Sequence, residues 1–196
     1  MTPFPNPLLT RLWPGLFAWG VLYVSDYAFT LTCARLYRAG VSNKIAFEGS
    51  FELNPYFQAD IDSLKKVSPR FIFALVLGWV WLSGIYWITR EPQLGVYEVA
   101  LGAMILSELA IHIRHMRNLF LFREIANSDT VRGRIEYSRP LVLRMSSVEL
   151  CGFAGAFALI FVFSQSLFTL GGAMGCLAMA WKHRRLARHP VSIATS

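Results

Sequence analysis

Apolar residues in this chain come in long blocks, separated by shorter polar ones. The blocks approach about 20 residues each, the length that the hydrocarbon core of a bilayer demands. They predict membrane spans over about 13–34, 71–89, 94–113, 145–163 and 167–181. The second span holds no ionisable residue and carries Trp79, Trp81, Tyr86 and Trp87. Aromatics near its end suit a membrane–water interface. The fifth is short and glycine-rich. Arg90-Glu91-Pro92 and Ser164-Gln165-Ser166 separate neighbouring spans by too few residues for anything but tight hairpins. The N-terminus lacks the basic region and small-residue cleavage site of a signal peptide, so the first block is expected to stay as a span.

The polar blocks set the orientation. The segments 35–70 and 114–144 are rich in Lys and Arg, as is the tail from Lys182 to Arg188. Five spans place all three on one side, and the positive-inside rule makes that side the cytoplasm. The expectation is therefore an all-α fold: a polytopic transmembrane helix bundle of about five spans, N-terminus out and C-terminus in. It would be a single domain over 1–196, multi-pass in the cell inner (cytoplasmic) membrane. The rival arrangement has four spans, with the last two apolar runs partly re-entrant.

Composition agrees with this reading. Hydrophobic residues make up 55% of the chain and charged residues 16%, with a mean hydropathy of +0.43. Ordinary soluble domains carry about 25% charged residues. A net charge of +7 could suggest nucleic acid. The basic residues sit between and after the apolar blocks, however, so a lipid bilayer is the expected partner and nucleic acid is not. Cys33, Cys151 and Cys176 all fall in apolar blocks without metal-site spacing and read as small core residues. Gly152, Gly155 and Ala156 in the fourth span, and Gly171 and Gly175 in the fifth, would let helix backbones approach closely. They predict packing within the protein, with homo-oligomers or larger membrane complexes as the alternative.

Three spans each bury one carboxylate at a similar depth. Asp26 precedes Arg35 by nine residues, Glu108 precedes Arg114 by six, and Glu149 follows Arg144 by five. At 1.5 Å per residue these lie roughly 13, 9 and 8 Å from the cytoplasmic edge. A carboxylate at a helix centre costs roughly 2.5–3.5 kcal/mol on insertion scales, and such residues usually face the bundle interior. One shared polar pocket is the expectation; separate neutralisation is the alternative. Glu108 and His112 are four residues apart and share a helix face, with His115 close by. A Glu and one or two His at these spacings suit a divalent metal, although interfacial histidines without a ligand role would look the same. The loop Glu48-Gly-Ser-Phe-Glu52-Leu-Asn54-Pro55 is acidic and flanked by aromatics. It reads either as a lid offering Glu48, Glu52 or Asn54 to the pocket or as a cap and turn. Asp60 to Lys66 reads as a short amphipathic surface helix.

Asp26 and Thr30, followed by Glu52-x-Asn54-Pro55, resemble a pattern in a family of small, uncharacterised bacterial membrane proteins, over about Ser25 to Pro55. The resemblance implies a multi-span bundle and no known reaction. There is no P-loop, GxSxG or GxGxxG, and Ser25 has no triad-like histidine in its span. The leading expectation is a cation- or proton-binding pocket in the inner half of the bilayer that moves a small solute or ion. Asp26, Thr30, Glu48, Glu52, Asn54 and Glu149 would line it, and Glu108, His112 and His115 would be metal ligands. The alternatives are a metal-dependent enzyme acting on a lipid or membrane-anchored substrate, and a non-catalytic subunit of a membrane complex. Whether the chain is an enzyme stays open at this point.

Overall fold

The computed structural model describes residues 10–89, 94–128 and 131–188. Helix makes up 80% of it. The helices are α1 (Leu12–Arg38), α2 (Gln58–Asp62), α3 (Pro69–Ile88), α4 (Leu94–Asn127), α5 (Arg139–Ser164) and α6 (Leu167–Arg188). Four of them, α1, α3, α4 and α5, are long and apolar enough to cross a membrane. The protein is therefore mostly helical and built for a membrane. α6 has 22 residues, but its last turns carry Lys182, Arg184, Arg185 and Arg188, and it is not in that set. The expected hairpin at Arg90-Glu91-Pro92 lies outside the described residues. The one at Ser164–Ser166 is as tight as expected: Gln165 adopts a left-handed conformation (φ 53°) and its N–H closes on the Phe161 carbonyl at 2.7 Å.

The helices outrun the apolar blocks. α4 continues past Ile113 to Asn127, and α5 starts at Arg139 rather than at Met145. Hydropathy marks where lipid ends, whereas Arg, Met, Leu and Glu remain good helix formers beyond that point. Much of the expected basic loop 114–144 is thus helix. Two short strands join there: β1 (Ile45–Phe47) and β2 (Ile135–Tyr137) pair in parallel, with Ile45 opposite Ile135 and Phe47 opposite Tyr137. Gly40, at φ 147°, makes the turn that takes the chain from α1 into β1. Glu48 accepts the Arg139 N–H at 3.0 Å, which caps the first turn of α5.

The expected surface helix over Asp60–Lys66 is a correction. α2 ends at Asp62, and Leu64 turns the chain with φ 52°. Asp60 is buried instead of facing solvent. Its carboxylate takes the Lys65 ammonium at 2.8 Å and the Ser68 hydroxyl at 2.5 Å. Ser68 in turn accepts the Phe71 N–H at 3.2 Å and caps α3. These bonds, above all those from Lys65 and Ser68, hold the Asp60 carboxyl below its ordinary value. A depressed carboxyl stabilises the fold fully above its unfolded pKa of about 3.9, and that contribution disappears as pH falls through the folded value. Thermal unfolding in detergent should therefore show Asp60→Asn melting below wild type at neutral pH. The gap should close as pH drops below about 4. Ser68→Ala should cost about 1 kcal/mol as a lost cap. A gap that is unchanged down to the lowest pH would rule out this account of Asp60.

Glycine decides which helices touch. A Cβ on Gly102 would overlap the Phe168 carbonyl, and one on Gly171 would overlap the Val99 carbonyl. α6 therefore lies directly on the backbone of α4. Gly152 and Gly155 meet nothing within 4 Å. They face outward with Ala156 and Cys151, so the expected internal packing of that stripe and of Cys151 does not occur. Cys33 and Cys176 are buried as expected. Between α1, α3 and α4, one end of the bundle is filled by Leu16, Trp19, Leu82, Tyr97 and Leu101. The other end, where β1 and β2 lie, holds a cavity.

Candidate functional site

The cavity measures about 450 Å³. α1 lines it with Asp26 and Thr30, α4 with Glu108, Arg114 and His115, and α5 with Glu149; the loop before α2 adds Glu52 and Asn54. The three carboxylates expected at one depth thus border one chamber. Glu48 and His112 are not part of its lining. Glu48 is a helix cap, as above. The tight turns of Glu52-Leu53-Asn54-Pro55 aim Glu52 inward: Glu52 accepts the Asn54 N–H at 2.7 Å, and Asn54 accepts the Tyr56 N–H at 3.3 Å. Burial pushes the Glu52 carboxyl above its ordinary value, and the Asn54 N–H and the neighbouring His115 and Arg114 pull it back.

His112 and His115 divide their partners. His112 Nδ1 lies 2.8 Å from the Glu108 carbonyl, which can only accept, so Nδ1 carries the proton. Its Nε2 then presents a lone pair, 2.7 Å from the Ser25 hydroxyl. Ser25 also lies 3.0 Å from the Leu22 carbonyl, so its single proton serves two acceptors. His115 lies one turn further along. Its Nε2 is 3.2 Å from Asp26 Oδ1 and 3.4 Å from Thr30 Oγ1. Seven residues along a helix amount to roughly 10 Å, which carries His115 away from the Glu108 carboxylate despite the shared face.

The grouping that results differs from the one the sequence suggested. Ligand atoms of Asp26, Glu108 and His112 lie within 4.8 Å of one another. Asp26 takes the place expected for His115. Glu108 Oε2 and His115 Nδ1 are buried without a hydrogen-bond partner, and Asp26 Oδ1 has only its 3.2 Å approach to His115 Nε2. His112 and His115 are 7% and 8% exposed, so water does little for them. Unsatisfied buried polar atoms are costly. Two carboxylates and an imidazole whose Nε2 lone pair is held only by the exchangeable Ser25 hydroxyl fit a divalent cation, and the second nitrogen of His112 on a backbone carbonyl is how ligating histidines are commonly oriented.

A basic region borders the same chamber and drew no attention in the sequence beyond its role in orientation. Arg117 pairs with Glu149. Arg114 donates to the Ser146 hydroxyl. That leaves the Ser146 proton for His183 Nδ1 at 2.9 Å. Lys182 lines the cavity too. The apolar lining is aromatic, including Phe51, Phe57 and Phe71. Comparison of the chain with family models, with curated proteins and with solved structures found no match.

Proposed function

We propose that this is a membrane-embedded protein that holds a divalent metal on Asp26, Glu108 and His112 and uses it on a membrane-borne molecule entering the chamber. The convergence of ligand atoms from Asp26, Glu108 and His112 within 4.8 Å of one another, with Glu108 Oε2 buried and without a hydrogen-bond partner, carries this reading. Three protein ligands leave coordination positions for water and substrate, the usual layout of a catalytic rather than a structural site. A bound metal would make that water a nucleophile near neutral pH, which suits hydrolysis of an ester. The chamber is far larger than one ion requires, and the opposite end of the bundle is closed by Leu16, Trp19, Leu82 and Leu101. Both features favour chemistry over passage. Ion or proton movement is the second reading, favoured by the string of Glu108, Asp26 and His115, in which Glu108 Oε2 and His115 Nδ1 have unmade hydrogen bonds.

Element analysis of detergent-purified protein tests the first reading. It should find a transition metal near one equivalent per chain, and His112→Ala should lose it. Metal-free wild type after purification in metal-containing buffer would overturn it and leave the transport reading. The chamber end belongs in the cytoplasm under the positive-inside rule, with α6 as a fifth, glycine-packed span. Reporter fusions after Arg188 and within 131–139 should read cytoplasmic, and one after Glu91 external. An external C-terminal reporter would remove the five-span arrangement.

A further inference from the structure

Arg114 points to the substrate. Arginine is charged at every working pH. Arg114 borders the chamber half-buried, yet among the described residues its only hydrogen bond goes to a neutral hydroxyl, that of Ser146. Its neighbour Arg117 has Glu149; Arg114 has no carboxylate within ion-pair distance among the described residues. A charge removed from water is costly unless it is paired. Lys182, on α6, lines the same cavity and makes no hydrogen bond or ion pair among the described residues. Two cations from two helices, Arg114 half-buried and Lys182 exposed, therefore face one space without a direct ion pair, although the charges of Glu149, Glu52 and Asp26 reach Arg114 across the chamber. The guanidinium fork matches phosphate geometry, and lysine adds a point charge.

The same cavity has an aromatic part, with Phe51, Phe57 and Phe71 packed around Tyr27, Leu31 and Ile61. Its volume of about 450 Å³ falls within the 300–1,000 Å³ or so of small-molecule sites. An anionic head with an apolar continuation fills both parts. We infer that the chamber binds the phosphate group of a lipid-like amphiphile, with Arg114 and Lys182 holding the phosphate and the phenylalanines taking the start of its chain. This rests on the metal reading in one respect: Asp26 and Glu108 would repel a phosphate unless a divalent cation lies between them.

The full chain in detergent, with manganese present, is titrated with dihexanoyl phosphatidic acid, dihexanoyl phosphatidylcholine and inorganic phosphate, while manganese binding is measured separately by calorimetry. Phosphatidic acid should bind saturably and more tightly than either other ligand. Arg114→Ala should weaken it by about tenfold to a hundredfold, the scale of a lost charge-assisted hydrogen bond. Lys182→Ala, at an exposed position, should weaken it by a smaller factor and guards against misfolding of the arginine variant. Inorganic phosphate binding as tightly as the lipid would overturn the amphiphile and leave only an anion site. Phosphatidic acid binding that neither substitution changes would overturn the inference while leaving manganese binding, and so the metal reading, intact. Absent manganese binding would instead remove the metal reading, and the inference falls with it unless phosphatidic acid still binds through Arg114.

Discussion

A hundredfold excess of manganese or zinc over its Kd should stabilise the purified protein by about 2.7 kcal/mol, from RT ln(1 + [L]/Kd). The gain should shrink on acidification, because metal ligands must be deprotonated to bind. His112→Ala should abolish it, since Nε2 of His112 is the one lone pair already oriented by a second hydrogen bond, from Nδ1 to the Glu108 carbonyl. His115→Ala should keep most of it, because His115 sits on Asp26 and Thr30 rather than in the donor triad. Glu108→Gln separates this account from general damage. In the absence of metal it removes one of two neighbouring buried carboxylates and should melt at or above wild type; with metal it should gain little. Damage lowers both curves, whereas loss of a ligand narrows the gap between them. Wild type and His112→Ala melting alike with and without metal would end the metal reading.

How much of this was legible depended on the range of the interaction concerned. Helix identity, and the expectation that Asp26, Glu108 and Glu149 would meet in one chamber, follow from counting along single segments, because a bilayer fixes length and position together. Contacts between segments do not follow from such counting. The exchange of His115 for Asp26 in the triad depends on how far along its axis α4 is set against α1, which no spacing within α4 records. Arg114 looked like one more positive charge on the cytoplasmic side until α4 proved to run on to Asn127 and carry it along the chamber wall. Asp60 looked solvent-facing in an amphipathic repeat; Leu64 ends that repeat by taking a left-handed turn, a conformation leucine seldom adopts. The parallel pairing of Ile45 with Ile135 joins segments of only three residues, too short for a periodicity to show.

Glycine gives the sharpest contrast between spacing and structure. The sequence offers two stripes of small residues that look alike, yet they face different surroundings. Gly102→Ala and Gly171→Ala should each cost about 3 kcal/mol, the upper end of ordinary overpacking. The added methyl in each case meets a backbone carbonyl, of Phe168 or Val99, and a backbone cannot swing aside as a flexible side chain can. Gly152→Ala and Gly155→Ala place their methyls in open space and should be neutral or stabilising, by up to about 0.5–1 kcal/mol from helix propensity. Unfolding of the four variants in detergent, followed by circular dichroism, should split them into two pairs of opposite sign. The informative failure lies in the second pair. If Gly152→Ala lowers stability as much as Gly171→Ala does, the outer face of α5 is covered in the assembled protein. Dilution would then identify the cover: a second copy gives a melting temperature that falls with protein concentration, as mass action requires, and lipid or detergent does not.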